Sequence, residues 1–546
     1  MKFANTFFRG GLIVLLLFNF SSQSMANTNS NSSVKSIQHT VKFNLNTEYK
    51  DTLASISVED NGVLQVKDNI IPIRSGYRFA GWFTSAACKP HEEWLFGKML
   101  EFPMPNARDS SMLVTKSMTL FAKWVSPVHI QDIAGLVAIQ NDLKGWYILD
   151  NDIDMSGFTD WTPIGEYDHT YEFARGEWWS KAFQGIFDGQ GHKIYNLHLT
   201  NSKRQMLALF GSVANGEIFN LNIDDCTIDL VSSGNYVSPL VGILKEDGGK
   251  TAKIENCTVS NLKAKINFSY SNPDHIFSAV TGLTAGAWNG TISNCHVSGA
   301  ISLETNGTGG TGGELYVGGI VGEGYSNTIG CSSDIDITVS QKISPLNQGQ
   351  AFKLFVGGLQ ASATNVKNSI STGEINIDGC PSITELYVGG LIGSERYGII
   401  ENCASQGKIF VKNAPIAQIG GIVGEFSKTY GGIGTAFGVK ETILRKCYAS
   451  GEVSTFQVDS TIRGGILGVG LPEPLKGWGG IMNYKIMDCV FVNPEKSPYV
   501  DESVDGIFRF SKLKEIKGFA LKQIIGEEQW QFQKNKLPFP NQQNKL

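Results

Sequence analysis

"YVGGIVGEGYSNTIGC", residues 316–331, and "YVGGLIGSERYGIIENC", residues 387–403, set two adjacent glycines inside an aliphatic run and close on a cysteine. Glycine weakens a strand, because it loses more backbone freedom than any other residue and has no side chain to pack. Its return at Gly318-Gly319, Gly357-Gly358, Gly389-Gly390, Gly420-Gly421 and Gly464-Gly465 therefore marks a sharp bend with no room for a Cβ. Between the pairs lie "NCHVSGAISL" from Asn294, "NSISTGEINI" from Asn368, "NCASQGKIFV" from Asn402 and "KCYASGEVSTF" from Lys446. A small residue, a turn glycine and an alternating strand follow one another in the same order each time. Each unit reads as about three short strands joined by turns.

The cysteines keep the same beat. Cys257, Cys295, Cys331, Cys403, Cys447 and Cys489, with Ser369 filling the gap, step by 38, 36, 38, 34, 44 and 42 residues. A regular step is the signature of a repeat array. One unit has an apolar face that it cannot bury alone; stacked on copies at ~4.8 Å, it encloses a continuous core. The expected fold is all-β, a right-handed parallel β-helix. Equivalent residues then form columns along the axis, with the cysteines as small apolar groups inside. Asn256, Asn294, Asn368 and Asn402, each just before the column position, suit a left-handed turn and can bond to the Asn of the next coil. Neighbouring cysteines fall within disulfide distance, but a stacked in-register pair has poor torsion and Ser369 breaks the pairing, so free buried thiols are expected. No C-x-x-C pair occurs, and neither a metal nor a cofactor is implied.

Composition narrows the partners. Of 546 residues, 18% are charged and 62 are glycine, with a formal net charge of -5; many tight turns around an apolar interior fit these values better than disorder does. Lys and Arg are scattered, so nucleic acid is not an expected partner. Lys2 and Arg9, the apolar run "GLIVLLLFNF" and Ser24-Met25-Ala26 read as a signal peptide over residues 1–26, followed by a linker at 27–37. Ten apolar residues are too few to cross a ~30 Å hydrocarbon core as a helix, and no transmembrane anchor is visible. The expected location is the cell surface or the medium.

The pattern V-G-G-[IL]-[VI]-G, then I-x-N-C-x-[ASV]-x-G-x-[IV], resembles the GLUG-motif repeats of bacterial surface proteins, including the region ahead of the catalytic domain in some immunoglobulin A proteases. "GWYILDNDIDMSGFTDWTPIG" from Gly145, "FQGIFDGQGHKIYNLHL" from Phe183 and "ALFGSVANGEIFNLNI" from Ala208 are similar to the lead-in coils of that group. "IIGEEQWQF" from Ile524 is similar to its closing segment. The resemblance places the helix at 127–490 and a C-terminal cap at 491–546. Ahead of it, "HTVKFNLNTEY" at His39, "IPIRSGYRFAGWFTSAAC" at Ile71 and "TLFAKWV" at Thr119 resemble the Listeria-Bacteroides repeat of internalin-type proteins. That resemblance implies a small β-grasp-like domain over residues 38–126 acting as a spacer or adhesive module. Trp82 and Trp124 are expected in its core.

Familiar catalytic constellations are missing. "HEEWL" at His91 lacks the second histidine of a zinc-protease helix. Asp224-Asp225 resembles the paired carboxylates of polysaccharide-cleaving β-helices, but the Gly-His-Gly and Arg-x-Lys partners do not accompany it, so one aspartate is expected in solvent and the other at a turn. The densest unusual chemistry is the insert "EYDHTYEFARGEWWSKAF", residues 166–183. Tyr167, Tyr171, Trp178 and Trp179 on it are candidate binding residues for sugar rings or a protein partner, and the insert is also suited to covering the first coil. The expectation is a non-catalytic, adhesin-like binding protein for surface glycans or proteins; the alternative is a secreted polysaccharide lyase or glycoside hydrolase.

Overall fold

The computed structural model describes residues 37–48, 52–64, 70–94, 113–166, 181–200, 205–232, 236–246, 252–269, 277–306, 313–341, 352–378, 383–396, 398–414, 416–426, 440–458, 460–468, 476–477, 480–492, 507–510, 530–531 and 539–540. The signal-peptide reading over 1–26 and most of the C-terminal cap lie outside them. So do Cys380 and all four candidate binding residues, Tyr167, Tyr171, Trp178 and Trp179.

Glycine pairs and asparagine turns bend each coil by different means. One coil shows the plan: strand Ile383–Gly389, the glycine bend, Ile392–Glu395 and Ile399–Glu401, the Asn402 turn, then Ala404–Ser405 and Ile409–Lys412. Each strand pairs in parallel with its equivalent one coil away, as Phe355 with Tyr387, Val366 with Ile400 and Ile377 with Val411. Three long parallel sheets result, closing a parallel β-helix around one interior of Leu386, Val388, Ile392, Ile400, Cys403, Ile409 and Val411 and their equivalents. The third sheet reaches strand Ile507–Phe510, which pairs with Cys489–Val492.

The pairs are small for a steric reason, and neither glycine of a pair needs a positive φ. A Cβ on Gly357 would stand 1.7 Å from the Gln360 carbonyl oxygen, and one on Gly358 2.2 Å from Ser371 Oγ and 2.3 Å from the Gly390 carbonyl oxygen. Gly389 and Gly390 repeat both collisions one coil on. At the other corner the backbone itself turns left-handed: φ is 50° at Asn256, 52° at Asn294, 51° at Asn368 and 54° at Asn402. Asparagine tolerates this region, which costs most residues roughly 1–2 kcal/mol. Its amide also reaches along the axis: Asn256 Nδ2 donates to Asn220 Oδ1 at 3.3 Å and Asn402 Nδ2 to Asn368 Oδ1 at 3.2 Å.

The cysteine column is present and reduced. Cys257, Cys295, Cys331, Cys403, Cys447 and Cys489 are buried free thiols. Main-chain bonds tie each coil to the next beside the column, as Ser332 N to Cys295 O and Tyr448 N to Cys403 O. Ser369 holds its place in the column by donating to the Lys367 carbonyl at 2.8 Å and accepting from Cys331 N at 3.1 Å.

The N-terminal domain is a four-stranded mixed sheet in the order Thr52–Glu59, Gln38–Asn44, Met118–Val125, Arg78–Phe83. Its two central strands are parallel and its outer pairs antiparallel, the strand order of a β-grasp. Trp82 is buried against Phe43 and Phe79, and its Nε1 donates to the Ile70 carbonyl at 2.9 Å. Trp124 packs on the same cluster and donates to the Leu45 carbonyl at 2.6 Å. Trp82 is a core residue, and Trp124 is half-buried against that core.

Candidate functional site

The strand ahead of each glycine pair turns one side chain away from the interior: Tyr316 in "LYVGG", Phe355 in "LFVGG" and Tyr387 in "LYVGG". These three are in register, and their rings stack at 4.8 Å and 5.1 Å with planes 9° and 16° apart. The glycine bend folds the next strand back beside them. Its outward column runs Ile243, Gly286, Glu323, and further along the axis Ser362, Ser394, Glu425. Between the two walls lies a second apolar cluster, outside the helix interior, that includes Tyr236, Tyr316, Phe355 and Tyr387.

Charge converges on this corner. Arg396 reaches back across two coils, roughly 10 Å at ~4.8 Å per coil, and donates through Nη2 to Tyr316 Oη at 2.6 Å and through Nη1 to Tyr325 Oη at 3.3 Å. Its Nη1 lies 3.9 Å from Glu323 Oε1, the two side chains being 20% and 13% exposed. Glu323 also accepts from Tyr236 Oη at 3.2 Å, from two coils on the other side. Tyr316 Oη meets Glu314 Oε2 at 2.5 Å. One wall continues outward as Glu314, Lys353 and Glu385 in register, with Lys353 Nζ 2.8 Å from Glu385 and Tyr387 Oη donating to the same carboxylate at 2.6 Å. On the other wall Ser394 Oγ donates to Glu425 Oε2 at 3.3 Å.

Burial sets the protonation states. It pushes the Glu323 carboxyl above its usual range, against the pull of Arg396 and the Tyr236 hydroxyl. Burial likewise raises the Tyr316 phenol, opposed by Arg396 and reinforced by Glu323 and Glu314. Burial alone would lower the Arg396 guanidinium, but Tyr316, Glu323 and Tyr325 outweigh it and hold the cation. A nearly buried acid beside a fixed cation and a phenol can bind hydroxyl-rich ligands and can give or take a proton.

The ladder shows that the fold does not need this charge. Ile243 fills the Glu323 position two coils earlier, and one coil later Gln360 pairs with Val321, a register that sets Ser362 at the Glu323 position. Buried ion pairs are poor stabilisers compared with apolar packing, so Glu323 and Arg396 mark a candidate site where an aliphatic residue would suffice for folding.

The aspartates considered from sequence are elsewhere. Asp224 accepts from Ser260 Oγ at 2.8 Å and Asn261 Nδ2 at 2.9 Å, bonds that hold its carboxyl below the usual range. Asp225 occupies a left-handed turn at φ 50° and pairs with Lys263 at 2.6 Å. They serve the third sheet and its turn. Glu166 N donates to the Lys181 carbonyl at 2.8 Å, closing the base of the aromatic insert. Two hollows also occur, about 360 Å³ beside Gln190, Asn220, Asn222 and Asn256 and about 500 Å³ beside Val137, Phe158 and Ile164. Neither lining carries a charged group. The repeated aromatic ahead of the glycine pair was the available sequence signal for the corner; Glu323 and Arg396 gave none, being brought together across two coils.

No family model matches the chain, and no curated protein matches it. Two of the solved structures similar to the chain follow. One is a protein provisionally described as an immunoglobulin A1 protease from Bacteroides ovatus, 17% identical, TM-score 0.36, aligned over 77% of this chain and 93% of its own. The other is an IgA1 protease, 14% identical, TM-score 0.35, aligned over 66% of this chain and 26% of its own length. Both are named as enzymes, which corrects the non-catalytic expectation drawn from the absence of a motif. The physical reason such an absence decides little is visible in the corner, where acid, cation and phenol converge without being contiguous in sequence. Among the described residues no helix is long and apolar enough to cross a membrane.

Proposed function

We propose that the chain is an exported bacterial surface protein that recognises glycans through the corner between the aromatic column and the Glu323 column. The observation that carries this reading is the Tyr236–Glu323–Arg396–Tyr316 network, whose nearly buried acid stands at a position that the same ladder fills with Ile two coils earlier. Carboxylate, guanidinium and phenol together offer the donors and acceptors that sugar hydroxyls require. The signal-like residues 1–26 support export, and the resemblance to GLUG-motif and Listeria-Bacteroides repeats supports a surface role. The stacked rings of Tyr316, Phe355 and Tyr387 are buried and serve to back the site.

A second reading, cleavage of the bound glycan, is favoured by one feature: the Glu323 carboxyl is held above its usual range by burial, as a general acid requires. A single experiment separates the two. The chain from Asn27 onward is incubated with fluorescent bacterial and host polysaccharides and followed by size-exclusion chromatography. Earlier elution of the glycan, abolished by Glu323→Gln or Arg396→Ala, supports recognition. Later elution, lost with Glu323→Gln, means cleavage. No shift with any polysaccharide tested overturns the glycan reading.

A further inference from the structure

Away from the corner, the flank that follows the asparagine turns brings a nucleophile and a base together. Strands His296–Asn306 and Ser332–Gln341 pair in parallel with His296 directly opposite Ser332, and His296 Nδ1 lies 2.8 Å from Ser332 Oγ. Both residues are anchored by the main chain, His296 N donating to the Cys257 carbonyl at 3.0 Å and Ser332 N to the Cys295 carbonyl at 2.9 Å. His296 is exposed and Ser332 half-buried. Asp334 stands two residues beyond Ser332, on the same face of the strand. Desolvation by its neighbours lowers the imidazole below its ordinary value, against the pull of the Asp334 carboxylate. The ring is therefore neutral at pH 7, with Nδ1 able to accept the Ser332 proton. The fold does not require the pair, since the same column runs Asn222, Thr258, His296, Ser332, Ile370 and so admits amide, hydroxyl and aliphatic groups alike.

Two further features lie beside the pair. The asparagine ladder is interrupted at this coil: Gly330, at φ 66°, stands between the Asn294 and Asn368 turns. Asn368 accepts from Asn402, but among the described residues its own amide nitrogen has no acceptor. It sits two residues before Ile370, the in-register neighbour of Ser332, and an uncommitted donor there suits a developing oxyanion. The second feature is the hollow of about 360 Å³ whose lining includes Asn222 and Asn256. Asn222 belongs to the His296 column, two coils away, roughly 10 Å at ~4.8 Å per coil. Its uncharged carboxamides suit hydroxyl groups.

We propose that Ser332 and His296 are a nucleophile and general base that hydrolyse carboxylic esters carried on carbohydrate, with the hydroxyl-rich part of the substrate seated toward the Asn222 hollow. Ser332 Oγ bonds to the ester carbonyl carbon while its proton passes to His296 Nδ1. Collapse of the tetrahedral adduct breaks the C–O bond to the sugar, which leaves as an alcohol with that proton. Water, deprotonated by the same nitrogen, then attacks the acyl group, and the carboxylic acid departs as the Ser332 hydroxyl is restored.

The test treats the chain from Asn27 onward with a fluorophosphonate probe, 4-nitrophenyl acetate and O-acetylated xylan, reading the labelled peptide by mass and the release of nitrophenol and acetate. The probe is expected on Ser332, and both esters should be cleaved. Ser332→Ala should abolish labelling and hydrolysis. His296→Gln keeps a hydrogen-bonding group beside Ser332 but cannot take its proton, and should slow both at least about 100-fold. Ser302→Ala, exposed on the same strand as His296, should change neither, and thermal melting checks that each variant folds. Labelling indifferent to His296→Gln, or 4-nitrophenyl acetate hydrolysis that survives Ser332→Ala, overturns the nucleophile and base assignment. Cleavage of 4-nitrophenyl acetate through Ser332 with acetylated xylan untouched overturns the carbohydrate assignment. Absence of both labelling and hydrolysis overturns the proposal outright. Binding at Glu323 and acetate release at Ser332 are separate readouts, so failure of either site leaves the other standing.

Discussion

The inner columns and the outer corner are built on the same strands, a few ångströms apart, and obey opposite rules. Inside, one position keeps to a narrow chemistry from coil to coil: glycine pair above glycine pair, cysteine or serine above cysteine, and at the left-handed corner mostly asparagine, with Gly330, Lys446 and Asp488 in the other coils. Outside, the column through Ile243, Gly286, Glu323, Ser362, Ser394 and Glu425 changes at nearly every step. A stacked coil must meet its copy, so geometry restricts the interior to what fits; the corner is open to variation, and variation there is where a binding specificity can be written.

The comparison breaks most readily at the glycines. Gly358→Val should cost at least about 4 kcal/mol or prevent folding, since the new Cβ would be 2.3 Å from the Gly390 carbonyl oxygen, which belongs to the backbone and has nowhere to move. Gly157, where a Cβ would meet nothing within 4 Å and the backbone has no positive φ, serves as the control; Gly157→Ala should be neutral within about 0.5 kcal/mol. Urea denaturation of the two variants measures both. A mild Gly358→Val would mean that the bends flex, and the steric account of the repeat would fail.

At the corner the expected cost is smaller and depends on which partner remains. Arg396→Ala leaves the Glu323 carboxylate nearly buried without its cation and should cost about 3 kcal/mol. Glu323→Ile combined with Arg396→Met imitates the Ile243 coil, and should lie close to the wild type or above it in stability. If the double variant is as unstable as Arg396→Ala, the network is needed for folding, and the reason for assigning it a function disappears.

This contrast also explains what was legible in the sequence. The β-helix could be read because its constraints repeat: Gly357-Gly358, Asn368 and the Ser369 substitution in the cysteine column each announce a geometry that every coil shares. The packing of Trp82 and Trp124 was legible on simpler grounds, large aromatics being more often packed than presented to a ligand. The corner could not be read. Tyr316 and Glu323 are close in sequence, but Tyr236 lies 87 residues from Glu323, and Arg396 lies 71 and 80 residues from the two phenols it bonds. No local pattern encodes how far a side chain leans along the axis. Reading Asp224-Asp225 as a catalytic pair had the converse weakness, since adjacency in sequence says nothing about Ser260, Asn261 and Lys263, which occupy the two carboxylates from the next coil.

The smallest effect sharpens the comparison by sign alone. Asp224, in the repetitive ladder, has its carboxyl lowered first by the Ser260 bond and then by Asn261. Its contribution is present above the ordinary value of 3.8 and is lost as the pH falls through the depressed folded value. Glu323, at the corner, is raised by burial. What it contributes is complete below its ordinary 4.5 and is lost as the pH rises through the elevated folded value. Melting temperatures of the wild type, Asp224→Asn and Glu323→Gln between pH 3 and 8 should therefore diverge in opposite senses. The wild type loses its advantage over Asp224→Asn at the acid end, and loses ground to Glu323→Gln as the pH climbs above 4.5. Parallel trends for the two variants would show that Glu323 is as well solvated and paired as any ladder carboxylate, leaving no protonatable acid at the corner to support the cleavage reading.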